Sequence, residues 1–207
     1  MASSQVSGPV VQLRVVLRGV SPLVWRRLLV PDGLSLGGLA EVLQVAFGWS
    51  DRSAHGFVVH ARKFRSPSWL EWSPTERLDS LVGELGLRRG DRFVYDHGQL
   101  DAWVVDVRVE AVFVDDATCR CVAGRRKAPP QACGGPGRFM ANRVSMIWEA
   151  FQTSDRIIRE VILDAPPDRV FTAEERCDLV ESLTLVTSGR LDRRGMNGRL
   201  ATVGVAR

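Results

Sequence analysis

The side chains best suited to acid/base chemistry are His55, Asp96, His97 and Asp101. An imidazole beside a carboxylate has its tautomer fixed and its pKa raised, which is what a general acid or base near neutral pH requires. Asp96, His97 and Asp101 fall within the turn-like stretch D-H-G-Q-L-D-A, and His55 begins a neighbouring apolar segment. A structural role competes with this one. Aspartates commonly hydrogen-bond backbone amides in tight turns, and His55 would then pack beside Trp49.

Three of the four cysteines, Cys119, Cys121 and Cys133, lie in one Gly- and Pro-rich stretch and are candidate zinc ligands, with His55 or His97 completing a tetrahedron. The spacing is C-x-C followed by a single distant Cys rather than the paired C-x-x-C of structural zinc sites, so free thiols are the competing reading. No cofactor other than this zinc candidate is expected. Arg26 and Trp103 join His55, Asp96, His97 and Asp101 as candidate binding residues, since arginine beside an aromatic ring can hold an anion or stack on a base. Trp25 and Trp49 are expected to be structural, whereas Trp69 and Trp72, in S-P-S-W-L-E-W-S-P, are freer to meet a partner.

Of 28 basic residues only Lys63 and Lys127 are lysines, and against 24 acidic residues the net charge is +4. That balance permits an anionic partner without demanding one. The basic stretches Arg88-Arg89, Arg125-Arg126-Lys127 and Arg190 with Arg193-Arg194 are short, and no helix-turn-helix, zinc-finger or RNA-recognition signature accompanies them. With 45% hydrophobic and 25% charged residues the composition is that of an ordinary globule and excludes collagen-like, coiled-coil and wholly disordered chains. No apolar run reaches the roughly 18 to 20 residues that span a bilayer, and no signal peptide precedes the first strand, so a cytoplasmic location without a membrane partner is expected.

The elements that must position these residues read as follows. Val11, Leu13, Val15 and Leu17 alternate with Gln12, Arg14 and Arg18, a half-buried strand, and residues 24–30 return as its hairpin partner. Leu36, Leu39, Ala40, Leu43 and Phe47 recur at helical spacing between a Ser35 cap and a Gly48 stop. A short strand over 56–61, a short helix over 78–85 and a second hairpin, 92–95 with 103–113, follow; the second hairpin places Val105, Val107, Val109, Ala111 and Phe113 on one face. The result is an α+β fold with a largely antiparallel sheet, one packed amphipathic helix and a C-terminal helical extension. The expected division is a domain over 9–138 that includes an irregular Cys/Pro/Gly-rich loop at 115–138, a helical extension over 139–187 with helices near 139–152, 154–163 and 173–186, and a poorly ordered tail over 188–207.

The run V-Q-L-R-V-V-L-R-G-V-S-P-L-V-W-R-R-L-L-V-P, the helix L-A-E-V-L-Q-V-A-F-G-W, an H-G-F strand, R-F-V-Y-D-H-G ahead of Trp103 and the loop C-V-A-G-R-R-K-A-P-P-Q-A-C-G-G-P-G together resemble the Ri-plasmid ORF-three-like family, also called the insertion-element passenger TnpR family. The resemblance covers about residues 10–139. Members typically carry Tyr-Asp-Phe-Gly-Asp-x-Trp-x-His at the second hairpin; here Gln99 and Leu100 look inserted and Val105 stands where the His would fall. Members also carry Cys-Pro-Pro-Glu-Asp-Cys-Gly-Gly in the loop, where this chain has Ala128 in place of the first Cys. An activity needing either residue should be lost or altered. The family is known as cargo of plasmids and transposable elements, and nothing in this chain resembles the catalytic segment of a serine recombinase. The expected role is therefore a non-enzymatic accessory or binding protein of a mobile element, with the surface around His55, the 96–103 turn and the cysteine loop as its contact site; the partner is left open, nucleic acid and a transposition protein being the candidates. A metal-dependent hydrolase-like enzyme using His55, His97 and Asp96, and a nucleic-acid-binding accessory factor of transposition, are the alternatives; a continuous Arg-lined groove would mark the last.

Overall fold

A computed structural model describes residues 7–49, 53–67, 76–98, 103–160, 170–186 and 191–204. Seven strands, β1 (Ser7–Leu17), β2 (Trp25–Pro31), β3 (His55–Val59), β4 (Arg62–Arg65), β5 (Arg92–His97), β6 (Trp103–Asp116) and β7 (Arg120–Arg125), form one sheet in the order β4-β3-β5-β6-β1-β2-β7. Every neighbouring pair is antiparallel; β1–β2, β3–β4 and β5–β6 are hairpins, whereas the neighbours β3–β5, β6–β1 and β2–β7 are joined by longer connections. The two hairpins expected from sequence are present and share it.

Helix α1 (Leu36–Phe47) lies across one face. Ser35 accepts a hydrogen bond from the Gly38 amide, and Gly48, at φ 72°, closes the last turn in the left-handed conformation that a side chain disfavours. Its buried residues Leu36, Leu39, Leu43 and Phe47 meet the inward positions of the strands, Leu13, Val15, Leu28, Phe57, Tyr95 and Val107 among them, in a single core. The alternation in β6 holds only as far as Val109. A bulge opposite Gln12 and Leu13 then changes the register, and Phe113, expected on the core face, is 36% exposed.

The second half of the chain departs further from expectation. The 115–138 stretch is not irregular throughout: β7 pairs with β2 and extends the sheet by one strand. The short helix expected over 78–85 reduces to a single 3-10 turn, Gly83–Leu85. Helix α2 runs unbroken over Gly135–Ile158 and packs with α3 (Ala173–Val186), whose start is a reciprocal box in which Thr172 Oγ1 accepts from the Glu175 amide and Glu175 Oε2 accepts from the Thr172 amide. The tail is the largest correction. Residues 193–200 form α4 (Arg193–Leu200), capped by Asp192, and bury Met196 and Leu200 in the core beside α1 and β7. Asn197 reinforces the joint by accepting from the Cys121 amide at 2.8 Å and donating to the Cys121 carbonyl at 3.2 Å. Burying the two apolar side chains contributes roughly 1.5–3 kcal/mol each, enough to order a segment whose composition is otherwise polar. Among the described residues no helix is long and apolar enough to cross a membrane.

Candidate functional site

Strand register decides which of the candidate residues can meet. His55 pairs with His97, and His97 with Trp103, so the three form one row across β3, β5 and β6 on the core face. Asp96 is adjacent to His97 in the strand and therefore points to the other face. There it pairs with Arg65, Nη2 to Oδ2 at 3.3 Å. The Arg65 stem crosses Gly56, where an added Cβ would lie 2.5 Å from its Nη1 and 2.3 Å from the Phe64 carbonyl oxygen. The expected imidazole–carboxylate dyad is thus split by the sheet itself. Asp101, Trp69, Trp72 and Arg190 lie outside the described residues.

The imidazole row is sealed. His97 is fully buried, with Trp49 stacked on its ring at 4.8 Å between centroids and Trp103, also fully buried, beside Trp49 at 5.7 Å. It is therefore His97, not His55, that packs against Trp49. Gln44 Nε2 donates to Tyr95 Oη at 3.2 Å, and that hydroxyl lies within hydrogen-bonding distance of His97 Nδ1 at 3.1 Å. His97 Nε2 has no hydrogen-bond partner among the described residues. Burial, and after it the nearby His55, push the His97 pKa down to about 4, with Gln131 opposing. Burial likewise holds the Tyr95 hydroxyl protonated well above the ordinary phenol range. His55 is half-buried, and its Nδ1 lies 2.8 Å from the Ser53 carbonyl, to which only an N–H can donate. Trp103 Nε1 donates to the Gln131 carbonyl at 2.9 Å, and the Gln131 side chain reaches Ser53. These bonds fasten the segments around Ser53 and Gln131 over one end of the sheet.

Arg26 is also a structural cation. It is 1% exposed, and its guanidinium donates to the carbonyls of Ala46 at 3.0 Å, Trp25 at 2.8 Å and Arg125 at 3.0 Å, joining the end of α1 to β2 and β7. Burial lowers its pKa to about 10. The cysteines follow the same logic. The C-x-C spacing is the two-residue period of a strand, which turns Cys119 and Cys121 together into the core, while Cys133 packs at its margin. Burial raises the Cys119 pKa to about 11 and also raises that of Cys121, against the thiolate a metal needs. Among the described residues no three His, Cys, Asp or Glu side chains converge as a metal site.

The opposite face of the sheet holds what the sequence reading missed. Arg92 pairs with Arg108, Arg108 with Arg14, and Arg14 with Arg27, so four arginines stand side by side across β5, β6, β1 and β2. Like charges directly opposite one another destabilise a sheet, and the acidic residues nearby do not neutralise the row evenly. Glu110 is engaged by Arg27, which holds its carboxyl below the usual range, and Asp106 is engaged by Arg18. Arg14, Arg92 and Arg108 form no ion pair among the described residues, and Arg14 lies over the Trp25 ring at 5.1 Å. A shallow depression of about 670 Å³ runs over this region, lined by Arg14, Arg92, Arg108 and His60 together with Val16, Val58 and Asp106, the last engaged by Arg18. The alternation of each strand had placed Arg14 and Arg108 on polar faces; the alignment of the strands, which makes them a row, is not written in any one segment.

Comparison with known proteins gives the kinship. The family described as "Plasmid pRiA4b ORF-3-like protein" matches residues 9–161. The uncharacterized protein y4hQ of Sinorhizobium fredii (strain NBRC 101917 / NGR234) is 33% identical over 135 residues, which span 61% of this chain and 68% of that protein. The crystal structure of the protein of unknown function MM3350 from Methanosarcina mazei Go1 superposes with a TM-score of 0.58 at 20% identity, covering 80% of this chain and 97% of that one, and shows that the fold is shared. The sheet, the helix laid on it and the loop that follows are those of one family, and the chain belongs to the plasmid pRiA4b ORF-3-like proteins.

Proposed function

We propose that this protein is a non-enzymatic binding protein whose contact surface is the open face of the sheet and whose ligand is the phosphate backbone of a nucleic acid. The observation that carries this reading is the cross-strand row Arg92, Arg108, Arg14 and Arg27, three of whose members make no ion pair among the described residues. A polyanion supplies the counter-charges that the protein withholds, and releases its own counterions as it binds. Arginine suits phosphate because its planar fork donates two parallel hydrogen bonds. The covered face supports the non-enzymatic half of the reading: among the described residues His55 and His97 pair with no carboxylate, and His97 is buried and held neutral.

Trp25 is covered by Arg14 and Arg27, so binding should follow charge more than base sequence. In a protein borne by a plasmid or transposable element, such a surface would serve accessory handling of the element's nucleic acid. The test is fluorescence anisotropy with labelled single-stranded and duplex oligonucleotides over a range of salt. Binding should weaken steeply as salt rises, and Arg14→Gln with Arg108→Gln should reduce the slope of log K against log salt by about 0.7–0.9 per arginine removed. Undetectable binding at low salt, or a slope unchanged in the double variant, would overturn the proposal.

A further inference from the structure

A second cavity, which shares no lining residue with the depression over the arginine row, lies at the β1–β2 turn. It is bounded by that turn at Val20, Ser21 and Pro22, by the segment Arg126–Pro130 after β7, and by one face of α2. The α2 wall is tied down: Arg143 Nη1 donates to the Ser21 carbonyl at 2.7 Å, and the Ser21 amide donates to Met140 Sδ at 3.4 Å. The interior is apolar, with Val24, Pro130, Phe139, Met146 and Ile147 among its lining, and its free volume is about 120 Å³. A cavity of about 150 Å³ is known to hold a benzene ring, so this one, slightly smaller, has room for an apolar body no larger than a single ring.

The charged groups at the lining are all of one sign. Arg126, Lys127 and Arg143 border the cavity, and no Asp or Glu does among the described residues. Arg126 also adopts φ 68°, a left-handed conformation that a residue with a Cβ takes only when its surroundings require it. An apolar hole with a cationic mouth is complementary to a molecule with an apolar body and one anionic end.

We infer that this cavity is a binding site for a small monocarboxylate with a ring-sized or branched apolar body, its carboxylate held by Arg143 with Arg126 and Lys127 and its body against Phe139, Met146 and Ile147. The site is independent of the sheet face. Because α2 forms its wall, an occupied cavity would also fix the helix against the turn at Ser21.

The experiment uses isothermal titration and amide NMR on the whole chain with benzoate and cyclohexanecarboxylate, against the neutral benzamide and cyclohexanol. The acids should bind saturably, at least tenfold tighter than the neutral pair, and should shift amides of residues 20–24, 126–130 and 139–147. Arg143→Gln should weaken the acids by about tenfold, since one charge-assisted hydrogen bond is lost, and Met146→Trp should abolish binding by filling the hole. Circular dichroism checks that both variants are folded, and Lys127→Gln provides a second exposed-side variant if either is not. Arg14→Gln with Arg108→Gln should leave carboxylate binding unchanged whatever it does to nucleic acid, so the two readings fail separately. Equal affinity for acids and neutral analogues, or full binding by folded Met146→Trp, would overturn the inference. Binding of a peptide's terminal carboxylate with no binding of free acids would overturn it in favour of a chain terminus.

Discussion

Arg26 and Arg27 are consecutive in the chain and lie on opposite faces of the same sheet. Arg26 is buried and held by three carbonyls; Arg27 is half-exposed, shares Glu110 with Gln12, and stands at one end of a row of like charges. The same contrast recurs at Asp96 and His97, where one residue is in an ion pair near solvent and its neighbour is stacked under a tryptophan. On the covered face, polar groups are spent on holding backbone in place. On the open face, Arg14, Arg92 and Arg108 form no ion pair among the described residues. A reading by residue type alone treats the histidines, Asp96, Trp103 and Arg26 as one potential site, whereas their side of the sheet separates fastening from contact.

That division between faces makes quantitative demands. The largest effect should come from Trp103→Ala, which removes a fully buried ring and its hydrogen bond to Gln131; urea unfolding should show a loss of about 3–5 kcal/mol. Trp25→Ala, across the sheet, should lose less than half as much, and equal losses would mean that both faces are core. Next comes pH. His97 is protonated below about 4 in the folded chain but near 6.5 when unfolded, so over that interval the unfolded state binds more protons and stability falls as pH is lowered from about 6.5 to about 4. The loss should be of order 3 kcal/mol and absent from His97→Phe, and a variant that retains it would place its origin elsewhere. Arg26→Met should lose about 2 kcal/mol, because three carbonyls are left without donors in a low-dielectric site. Smallest is the effect of Arg14→Gln with Arg108→Gln, which should change stability by under about 1 kcal/mol, in the favourable direction as repulsion is relieved. Added salt should stabilise the parent chain slightly and this double variant less.

Much of the fold was legible because local rules were strong where the structure obeys them. Helix α1 has a capping serine, a helical period and a left-handed glycine stop, and each is realised. Strands β1 and β6 alternate over enough residues to fix which side chains face inward. What was not legible depended on partners distant in sequence. β4 has a single inward apolar residue, Phe64, and exists as a strand through its pairing with β3. β7 contains Gly and Cys within a stretch rich in turn formers, and is a strand because β2 offers an open edge. α4 has two glycines and three arginines between 193 and 200, and only the burial of Met196 and Leu200 marks it as part of the core. The candidate site shares this limit. The proximity of His97 and Trp103 followed from the second hairpin, whereas that of His55 and His97 depends on the pairing of β3 with β5, which no local pattern announces; the separation of Asp96 followed from alternation; the arginine row needed the register of four strands at once.

The bond between Cys121 and Asn197 joins positions 76 apart in the chain, with the whole α2–α3 hairpin between them. The hairpin is thus an excursion that leaves the sheet after β7 and must come back before the hydrophobic interior is closed. A fragment trimmed to the family-matched stretch, residues 9–161, would lack Met196, Leu200 and Val203 and leave α1 open to water along the side they cover. Conversely, lengthening the excursion should be tolerated, since doubling a closed loop adds only about 0.6 kcal/mol of entropy, so the two helices can vary in length without disturbing the sheet whose last inner wall lies beyond them.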